Sequence, residues 1–387
     1  MSETPLARRD RRRVAPGFLL RVGLVVIVMI MPFYLPTSLL QTGLFAMSAV
    51  VGAIGLNLLT GTAGQLSLAH GFFLAIGAYG YVYFAGTSSG PGLQKVTGLG
   101  LPPVVALVLA VALAGVAGLL FSPISARLGG IYLGVASLSL VFIGQHILFN
   151  ASSVTGGFSG RNVPPLAILG FTFADTHPDL SVLNVPFGQY ERLWYLALAI
   201  AVGSYIFAAN VLRSRPGRAL QTVRDSAVAA AVLGVNVRRY KAAAFVLSSM
   251  YAGLAGVIYA VTFSHIVPDA FGLTLSIDFL AMIIIGGLGS VAGAALGAVF
   301  VIGLPNLLLQ YSSLVPFLAE PGSGGLDAGR FARFVYGALI VLTIMFQPAG
   351  LAGLGQRLRR RHRKTGAGQA GDPHIRTAQL PSSEHAT

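Results

Sequence analysis

The stretch from Leu212 to Ala260, LRSRPGRALQTVRDSAVAAAVLGVNVRRYKAAAFVLSSMYAGLAGVIYA, places a strongly basic segment directly before a long apolar run. Between Arg213 and Lys241 there are seven Lys and Arg residues and a single acid, Asp225. A segment with so many charges cannot lie within a bilayer, and positive loops collect on the cytoplasmic side of membrane proteins. The stretch therefore predicts a membrane protein with a charged cytoplasmic loop, where a soluble partner could push.

The composition of the whole chain agrees with a membrane protein. Of its 387 residues, 55% are hydrophobic and only 10% are charged, and the mean hydropathy is +0.76. Soluble domains have about a quarter of their residues charged. Cysteine is absent, which excludes a disulfide framework, a thiolate nucleophile and a Cys-based metal site. We expect no metal site and no cofactor in this chain.

Apolar runs of about 20 residues, the length that crosses a bilayer, recur along the chain. They predict an all-α, polytopic transmembrane bundle of about ten spans, within a range of eight to ten. The first run is a retained span, because no small-residue cleavage site follows it promptly. The runs are Gly17–Leu35, Leu39–Thr60, Leu66–Ala85, Pro102–Phe121, Gly130–Phe149, Arg192–Leu212, Ala242–Phe263, Ile277–Gly287, Val291–Gln310 and Phe334–Phe346. The Ile277–Gly287 run is short, so it is either a full pass or half of a re-entrant pair with the next run.

These runs divide the chain into three parts. Residues 1–16 form a basic cytoplasmic N-terminus, and residues 17–350 form the transmembrane domain. Residues 351–387 form a basic cytoplasmic tail, which we expect to be disordered because most of it is polar and contains Gly, Pro and Ser. Within the transmembrane domain, residues 150–191 are the longest external loop and residues 213–241 are the basic cytoplasmic loop.

The net charge of +14 invites a nucleic-acid interpretation, but its distribution indicates topology instead. Of the 26 Lys and Arg residues, six lie in the stretch up to Arg21, one is Arg127, seven lie in the basic loop and seven lie from Arg357 onward. Thus 21 of 26 fall in segments that an even number of crossings places in the cytoplasm. We expect both termini in the cytoplasm, a lipid bilayer around the chain and no nucleic-acid partner.

Two Gly-rich interruptions occupy comparable places in the two halves of the chain. Such interruptions predict broken helices at an internal inverted repeat, where transporters bind their solutes. The first is either a short cytoplasmic turn, with later residues opening the next helix, or a break that lines a pathway, since irregular backbone at membrane depth must be enclosed by protein or water. Its candidate pathway residues are Asn57, Gly61, Gly64, Gln65, Ser67 and His70. Those of the second are Gly286, Gly287 and Gly289.

Asp278 is the one carboxylate inside a predicted span. An acid in such a place is either functional or a helix cap, and its position near the start of an apolar run favours the cap. Ser67 and His70 are three apart on the predicted helix, but no third catalytic partner accompanies them, so hydrolysis is disfavoured. The Gly286–Ser290 segment has no preceding strand and no Lys, so it is not a nucleotide loop.

Small and apolar residues recur at spacings of three and four along the basic loop. We expect one helix there, opened by Pro216 and closed by Gly234 and Asn236. The stripe consists of Leu220, Val223, Ala227, Ala230 and Gly234. A helix that lies on anionic headgroups is one interpretation, but small residues suit the groove of a partner protein better than lipid.

Four ordered segments resemble the permease subunits of branched-chain amino acid ABC importers, and the LivM-type subunit in particular. GLNLLTGTAGQLSLAHGFFLAIGAYG spans Gly55–Gly80, and TGGFSG spans Thr155–Gly160 in the external loop. GRALQTVRDSAVAAAVLGVNVRRYKAAAFVLS spans Gly217–Ser248, and IIGGLGS lies within Phe279–Gly297. The resemblance extends from about Leu39 to Pro348.

This resemblance implies a passive membrane subunit and no enzymatic activity of its own. Its implied partners are a second, LivH-type permease, two cytoplasmic ABC ATPases and an external solute-binding protein. The implied location is the plasma (inner) membrane of a bacterium, and the implied cargo is a branched-chain or related amino acid. Permeases for urea, short amides or other small polar solutes are similar and stay an alternative. A secondary transporter or channel that works alone is an alternative of another class.

The resemblance also assigns roles to residues. The segment from Arg218 to Gly234 matches the ATPase-coupling helix, whose candidate residues are Arg218, Arg224, Asp225, Ala227, Ala230 and Gly234. The family commonly has Glu where this chain has Ala227, so a charge contact to the ATPase is either absent or moved to Asp225. In the external loop, the matching residues are Thr155, Gly156, Gly157 and Gly160.

Overall fold

The computed structural model describes residues 23, 25–89, 96–168, 170–174, 181–182, 185–186, 188–310, 328–346 and 350–353. Residues 25–30 are helical and belong to the first predicted span, of which residues 17–22 and 24 lie outside the described residues. The predicted N-terminal part, 1–16, and nearly all of the predicted tail also lie outside them.

Helices dominate the described part of the chain. In order they are α1 Thr37–Asn57, α2 His70–Ala85, α3 Pro103–Arg127, α4 Gly130–Asn150, α5 Ser152–Thr155, α6 Gln189–Arg213, α7 Arg215–Asp225, α8 Ala227–Val232, α9 Val237–Phe263, α10 Leu273–Gly286, α11 Val291–Gln310 and α12 Ala328–Phe346. A π-helical turn, Leu58–Thr62, continues α1. Short 3-10 turns lie at Met31–Phe33, Gly157–Ser159 and Pro268–Phe271.

Every predicted apolar run from Leu39 onward coincides with one of these helices, which confirms the helical membrane bundle. Among the described residues, six helices are long and apolar enough to cross a membrane: Thr37–Thr62, Pro103–Arg127, Gly130–Asn150, Gln189–Arg213, Val237–Phe263 and Val291–Leu308. Leu273–Gly286 and Arg333–Thr343 are shorter apolar helices. The number of crossings and the inverted repeat stay predictions.

The long helix α9 forms the centre of the bundle. It packs against α1, α2 and α3, and α1 in turn packs against α6 and α11. Glycines bring these helices into backbone contact, since Gly77 lies against Gly253 and Gly256 lies against the carbonyl of Leu74. Such small residues permit close helix approach within membranes, where packing rather than water exclusion holds helices together.

Short two-stranded antiparallel ribbons lie in the connections at one end of the bundle. They pair β1 Thr87–Ser89 with β2 Val96–Leu99, β3 Arg161–Asn162 with β8 His265–Ile266, β4 Ala167–Ile168 with β5 Phe171–Thr172, and β6 Ser181–Val182 with β7 Val185–Pro186. The sequence analysis predicted the longest external loop for residues 150–191, and it named no strands there. Because β8 follows α9, its pairing with β3 ties the predicted external loop to the end of the central helix.

Helix α10 connects the two ends of the bundle although its 14 residues reach only about 21 Å. Gly272, just before it, lies against Gln145 near the external-loop end. Gly289, just after it, lies against Arg224 in the basic loop. This course favours a full pass over a re-entrant half-helix. The following helix packs closely along it, with Gly286 against Gly293.

Candidate functional site

The first predicted interruption is a buried break between α1 and α2. The π-helical turn ends α1, residues 64–69 are not helical, and α2 begins at His70. Gln65 and Ser67 are each 2% exposed, so they lie in a non-helical segment enclosed by protein. Of the two interpretations left open by the sequence, the one in which Gln65 and Ser67 open the next helix is therefore wrong, and Ser67 does not share a helix face with His70. π turns inside helices are frequent at functional sites.

Neighbouring helices hold this broken segment through specific hydrogen bonds. The Gln65 side-chain amide donates to the Lys241 carbonyl at the start of α9, at 3.1 Å. The backbone amide of Leu68 donates to the Ser137 hydroxyl on α4, at 2.8 Å. These bonds replace the helical ones that the break removes, as irregular backbone at membrane depth requires.

Several buried polar atoms around the break have no hydrogen-bond partner among the described residues. They are Thr62 Oγ1, Gln65 Oε1, His70 Nε2 and Tyr79 Oη. The His70 ring packs edge-on against Phe279, with 4.8 Å between centroids. A buried polar atom without a partner costs free energy, so these positions suit water or a polar solute.

The second predicted interruption touches the first. After α10, Gly287 and Gly289 have positive φ angles of 111° and 81°, which favour glycine. The backbone amide of Gly289 donates to Asn57 Oδ1 at 2.8 Å. Any side chain at Gly61 would overlap with Asn57 and with the backbone of Gly289. The two Gly-rich breaks thus meet at one point.

The basic loop is built differently from the single predicted helix. Ser226 is in an extended conformation and separates α7 from α8, and its hydroxyl accepts a bond from the amide of Ala229 at 3.2 Å. The predicted small-residue stripe is also divided. Leu220, Val223 and Ala230 are buried within the chain, whereas Ala227 and Gly234 are exposed. The expectation that Ala230 faces a partner is wrong, because its side chain is 0% exposed.

The large apolar side chains that the loop does expose lie on α8 and directly after it. Val228, Val232 and Leu233 are 76%, 83% and 74% exposed. The sequence analysis missed these three residues, although two of them are four apart and share a helix face. We call them the apolar knob of the loop.

Arg224 links the basic loop to the first break. Its Nη1 donates to the carbonyl of Gly61 at 2.8 Å, while Nε and Nη2 donate to Asp225 Oδ1 at 3.1 and 3.0 Å. Its aliphatic stem lies against Gly64, whose φ is +68°. In contrast, Arg218 donates locally to the carbonyl of Arg213.

Asp278 is not a helix cap. Its helix begins at Leu273 after Gly272, with no side-chain cap and no acid in the first turn, so Asp278 is its sixth residue. The carboxylate interacts electrostatically with Arg333 and Tyr336 on α12. The structure therefore places it toward that helix and contradicts the favoured cap interpretation.

The TGGFSG segment of the external loop forms a compact turn. The Thr155 hydroxyl donates to the carbonyl of Leu148 at 2.6 Å and accepts from the amide of Gly157 at 3.1 Å. Gly156, Gly157 and Gly160 have φ angles of 77°, 59° and 69°, in the left-handed region that favours glycine. The predicted residues are thus the ones that shape this turn.

Two polar contacts fasten this turn to the rest of the external end. Arg161 is buried and donates from Nη1 to the carbonyls of Thr97 and Val154, both at 2.8 Å. Burial lowers the pKa of the Arg161 guanidinium. The His265 ring bonds Asn162 Oδ1 at 2.7 Å, directly across the ribbon.

Comparisons with known proteins agree with these features. The family described as the permease component of branched-chain amino acid transport systems matches residues 38–344. The chain belongs to this family. Over 340 residues, 85% of the permease and 73% of the relative, it is 28% identical to the high-affinity branched-chain amino acid transport system permease protein LivM of Escherichia coli.

More distant relatives include both permease types. The permease is 26% identical to the probable LivM of Methanocaldococcus jannaschii, over 67% of this chain and 70% of that one. It is also 26% identical to LivH of Escherichia coli, over 42% of this chain and 46% of that one. No solved structure matches. The permease is a multi-pass membrane protein, and its relatives are transport subunits.

The structure of the permease brings some predicted residues together and separates others. Residues from the first break, the second break and the basic loop meet at one junction: Asn57, Gly61, Gly64, Gly289 and Arg224. Gly350, at the end of the described chain, lies against Gly287 beside this junction. Asp278 lies apart from it along α10, and the Thr155–Gly160 turn lies at the opposite end of the bundle.

Proposed function

We propose that this chain is the LivM-type permease subunit of an ABC importer for branched-chain amino acids. It forms half of the translocation pathway, and a LivH-type permease forms the other half. Two cytoplasmic ATPases hydrolyse ATP, and an external solute-binding protein delivers the amino acid. The family match over residues 38–344 and the likeness to both LivM and LivH support this assignment.

The observation that carries the proposal is the contact between the basic loop and the broken helix. An importer without a nucleotide site of its own needs a path from an external ATPase to its transmembrane pathway. The bond from Arg224 to the Gly61 carbonyl supplies such a path, because it joins the loop to the break. A simple headgroup-binding helix would need no such bond.

The apolar knob is the part of the loop that suits an ATPase. Val228, Val232 and Leu233 are largely exposed, and they follow a helix that is anchored on the permease through Leu220 and Val223. Burial of valine and leucine side chains stabilises an interface by about 1.5–3 kcal/mol each. The knob therefore enters a groove on the ATPase, while the buried residues hold the loop on the bundle.

The break between α1 and α2 is the candidate pathway. Gln65 Oε1 and His70 Nε2 are buried and lack partners among the described residues. Polar atoms of this kind can exchange bonds with the ammonium or carboxylate of an amino acid, or with water that accompanies it. We place the solute beside this break, on the side that the second permease completes.

The proposed orientation follows from the charge distribution. The basic loop lies in the cytoplasm, and the Thr155–Gly160 turn at the opposite end faces the binding protein. The contact of Gly350 with Gly287 supports a C-terminus on the same side as the basic loop. The importer lies in the plasma (inner) membrane, with both termini in the cytoplasm.

Reconstitution tests the function. The chain is co-expressed with a LivH-type permease, the two ATPases and the binding protein, and the complex is placed in proteoliposomes. We expect uptake of radiolabelled leucine that needs both ATP and the binding protein, and no uptake when the ATPases carry an inactivating substitution. Uptake by the purified chain alone, without nucleotide, would establish the stand-alone transporter instead. Uptake of urea or acetamide without leucine would move the permease to the alternative solute class.

A further inference from the structure

We propose that Asn57 and Arg224 form a clasp that makes both helix breaks move with the basic loop during the ATPase cycle. The inference rests on the proposed function, because it requires a loop that an ATPase displaces. It assigns to both residues a positioning role, in which neither touches the ATPase or the solute.

The first half of the clasp is the Arg224 guanidinium. All three of its nitrogens donate within the chain, one to the Gly61 carbonyl and two to Asp225. The carboxylate orients the planar guanidinium, so that Nη1 is held toward the Gly61 carbonyl. Gly64 lies against the stem of the same side chain, which fixes it from a second side. A displacement of α7 therefore pulls on the turn at the end of α1.

The second half of the clasp is the Asn57 side chain. It lies one turn before Gly61 and accepts the amide of Gly289 at 2.8 Å. Asn57 is only 1% exposed, so this bond is shielded from water and has no competing partner there. Gly61 and Gly289 are in backbone contact beside it, and any side chain at Gly61 would separate them. The connection between α10 and α11 thus follows the end of α1.

Together these contacts connect the basic loop to the first break and the first break to the second. Without the Arg224 bond, motion of α7 would not be tied to the end of α1 or to the non-helical residues 64–69 that follow it. With the clasp closed, the same motion reaches the segment that contains Gln65 and Ser67. The apolar knob, which lies beyond Ser226, remains free for the ATPase.

Substitutions separate the clasp from ATPase docking. In the reconstituted importer, Arg224→Ala and Asn57→Leu should retain assembly, and ATP hydrolysis should stay within about twofold of the parent. Leucine uptake per ATP should fall at least about tenfold, because each substitution removes a hydrogen bond with a charged or buried partner. Arg224→Lys should also lose coupling, because a single ammonium cannot replace the planar fork. Arg238→Ala, at an exposed arginine of the same loop, is the matched control.

The two substitutions should also be non-additive. Both open the same connection, so Arg224→Ala combined with Asn57→Leu should lower uptake per ATP no further than the more severe single variant. Unchanged uptake per ATP in the single variants would overturn the clasp. A parallel loss of hydrolysis and uptake would make Arg224 an ATPase contact instead.

A second measurement needs no solute and stays informative if leucine is not the cargo. Because the chain has no cysteine, Ser67→Cys reports specifically on the broken segment. Its labelling by a thiol reagent should change between ATP-bound and nucleotide-free complexes, and Arg224→Ala should abolish that change while ATP binding persists. Persistence of the change in the Arg224→Ala background would refute the clasp, whereas absence of leucine uptake by the parent would refute only the substrate.

A cross-link gives an independent rescue. The Cβ of a residue at position 64 would lie 3.4 Å from Cβ of Arg224, just below the usual separation in disulfides. Because the φ of +68° at Gly64 strains any side chain there, the oxidised pair is compared with the reduced pair and not with the parent. The Gly64→Cys, Arg224→Cys pair should couple poorly when reduced and regain uptake per ATP when oxidised. If oxidation lowers uptake further, the connection must open during the cycle and the clasp as proposed is wrong.

Discussion

Replacement of Val232 by aspartate should detach the ATPase without unfolding the permease. Val232 is 83% exposed, the highest fraction in the apolar knob, so the substitution removes no contact of the free chain. Exposed substitutions of this kind usually change folding free energy by no more than about 0.5 kcal/mol. The effect should therefore fall on the interface.

The size of the effect follows from the exposed fraction. Full burial of a valine side chain contributes about 1.5–3 kcal/mol, so the exposed part of Val232 offers about 1.2–2.5 kcal/mol to the interface. A carboxylate in the same groove would lose its water without a partner, which costs about 1–3 kcal/mol more. A total of about 3 kcal/mol corresponds to roughly 100-fold weaker association.

The assay is titration of the detergent-solubilised permease pair with labelled ATPase. Gln221→Glu, at an exposed position of α7, is the matched control, because it adds one negative charge but removes no apolar surface. It should leave affinity within about threefold. If Val232→Asp binds the ATPase as tightly as the parent, the apolar knob is not the contact and the loop must dock through another face.

Further predictions concern other parts of the molecule. Ala230→Trp should lower the melting temperature of the permease, since an indole in a fully buried site costs about 1–3 kcal/mol. Gly253→Val should lower it similarly because the side chain of Ala114 leaves no room, whereas Gly203→Val, in open space, should not. In intact cells, an impermeant thiol reagent should label Ser181→Cys and spare Ser226→Cys; the reverse pattern would overturn the topology. Truncation after Gly366 should leave uptake unchanged, and a truncated chain that assembles but does not transport would contradict this.

The helices of the bundle could be predicted because their signal is local. An apolar run of about 20 residues has few alternatives to a membrane helix, so α3, α4 and α6 lie where their runs predict them. The two breaks could also be predicted from local sequence, because glycines cluster at both of them. Their contact was not predictable, because Asn57 and Gly289 are 232 positions apart and no local pattern pairs them.

The predictions that proved wrong concern the basic loop and Asp278. In both places tertiary packing determines which residues are buried and where a helix begins, and the sequence periodicity does not. The spacing of Leu220 and Val223 correctly indicates one side of α7, but it does not say whether that side faces the protein or a partner. The extended conformation at Ser226 interrupts the predicted helix, and on the separate helix α8 Val228 is exposed while Ala230 is buried. Likewise, the helix that contains Asp278 begins four residues earlier than its apolar run suggests.

The central helix α9 should tilt around its C-terminal end. That end is followed by a two-stranded ribbon, which pairs Arg161–Asn162 with His265–Ile266. It anchors one end of α9 to the external loop through backbone pairing and the His265–Asn162 bond. The 27 residues of α9 extend about 40 Å, so a tilt of about 5° around that end displaces the other by about 3.5 Å. Such a displacement exceeds the length of the Gln65–Lys241 hydrogen bond, so a small rotation at the ribbon end of the bundle suffices to remake the contacts at the end that holds the basic loop.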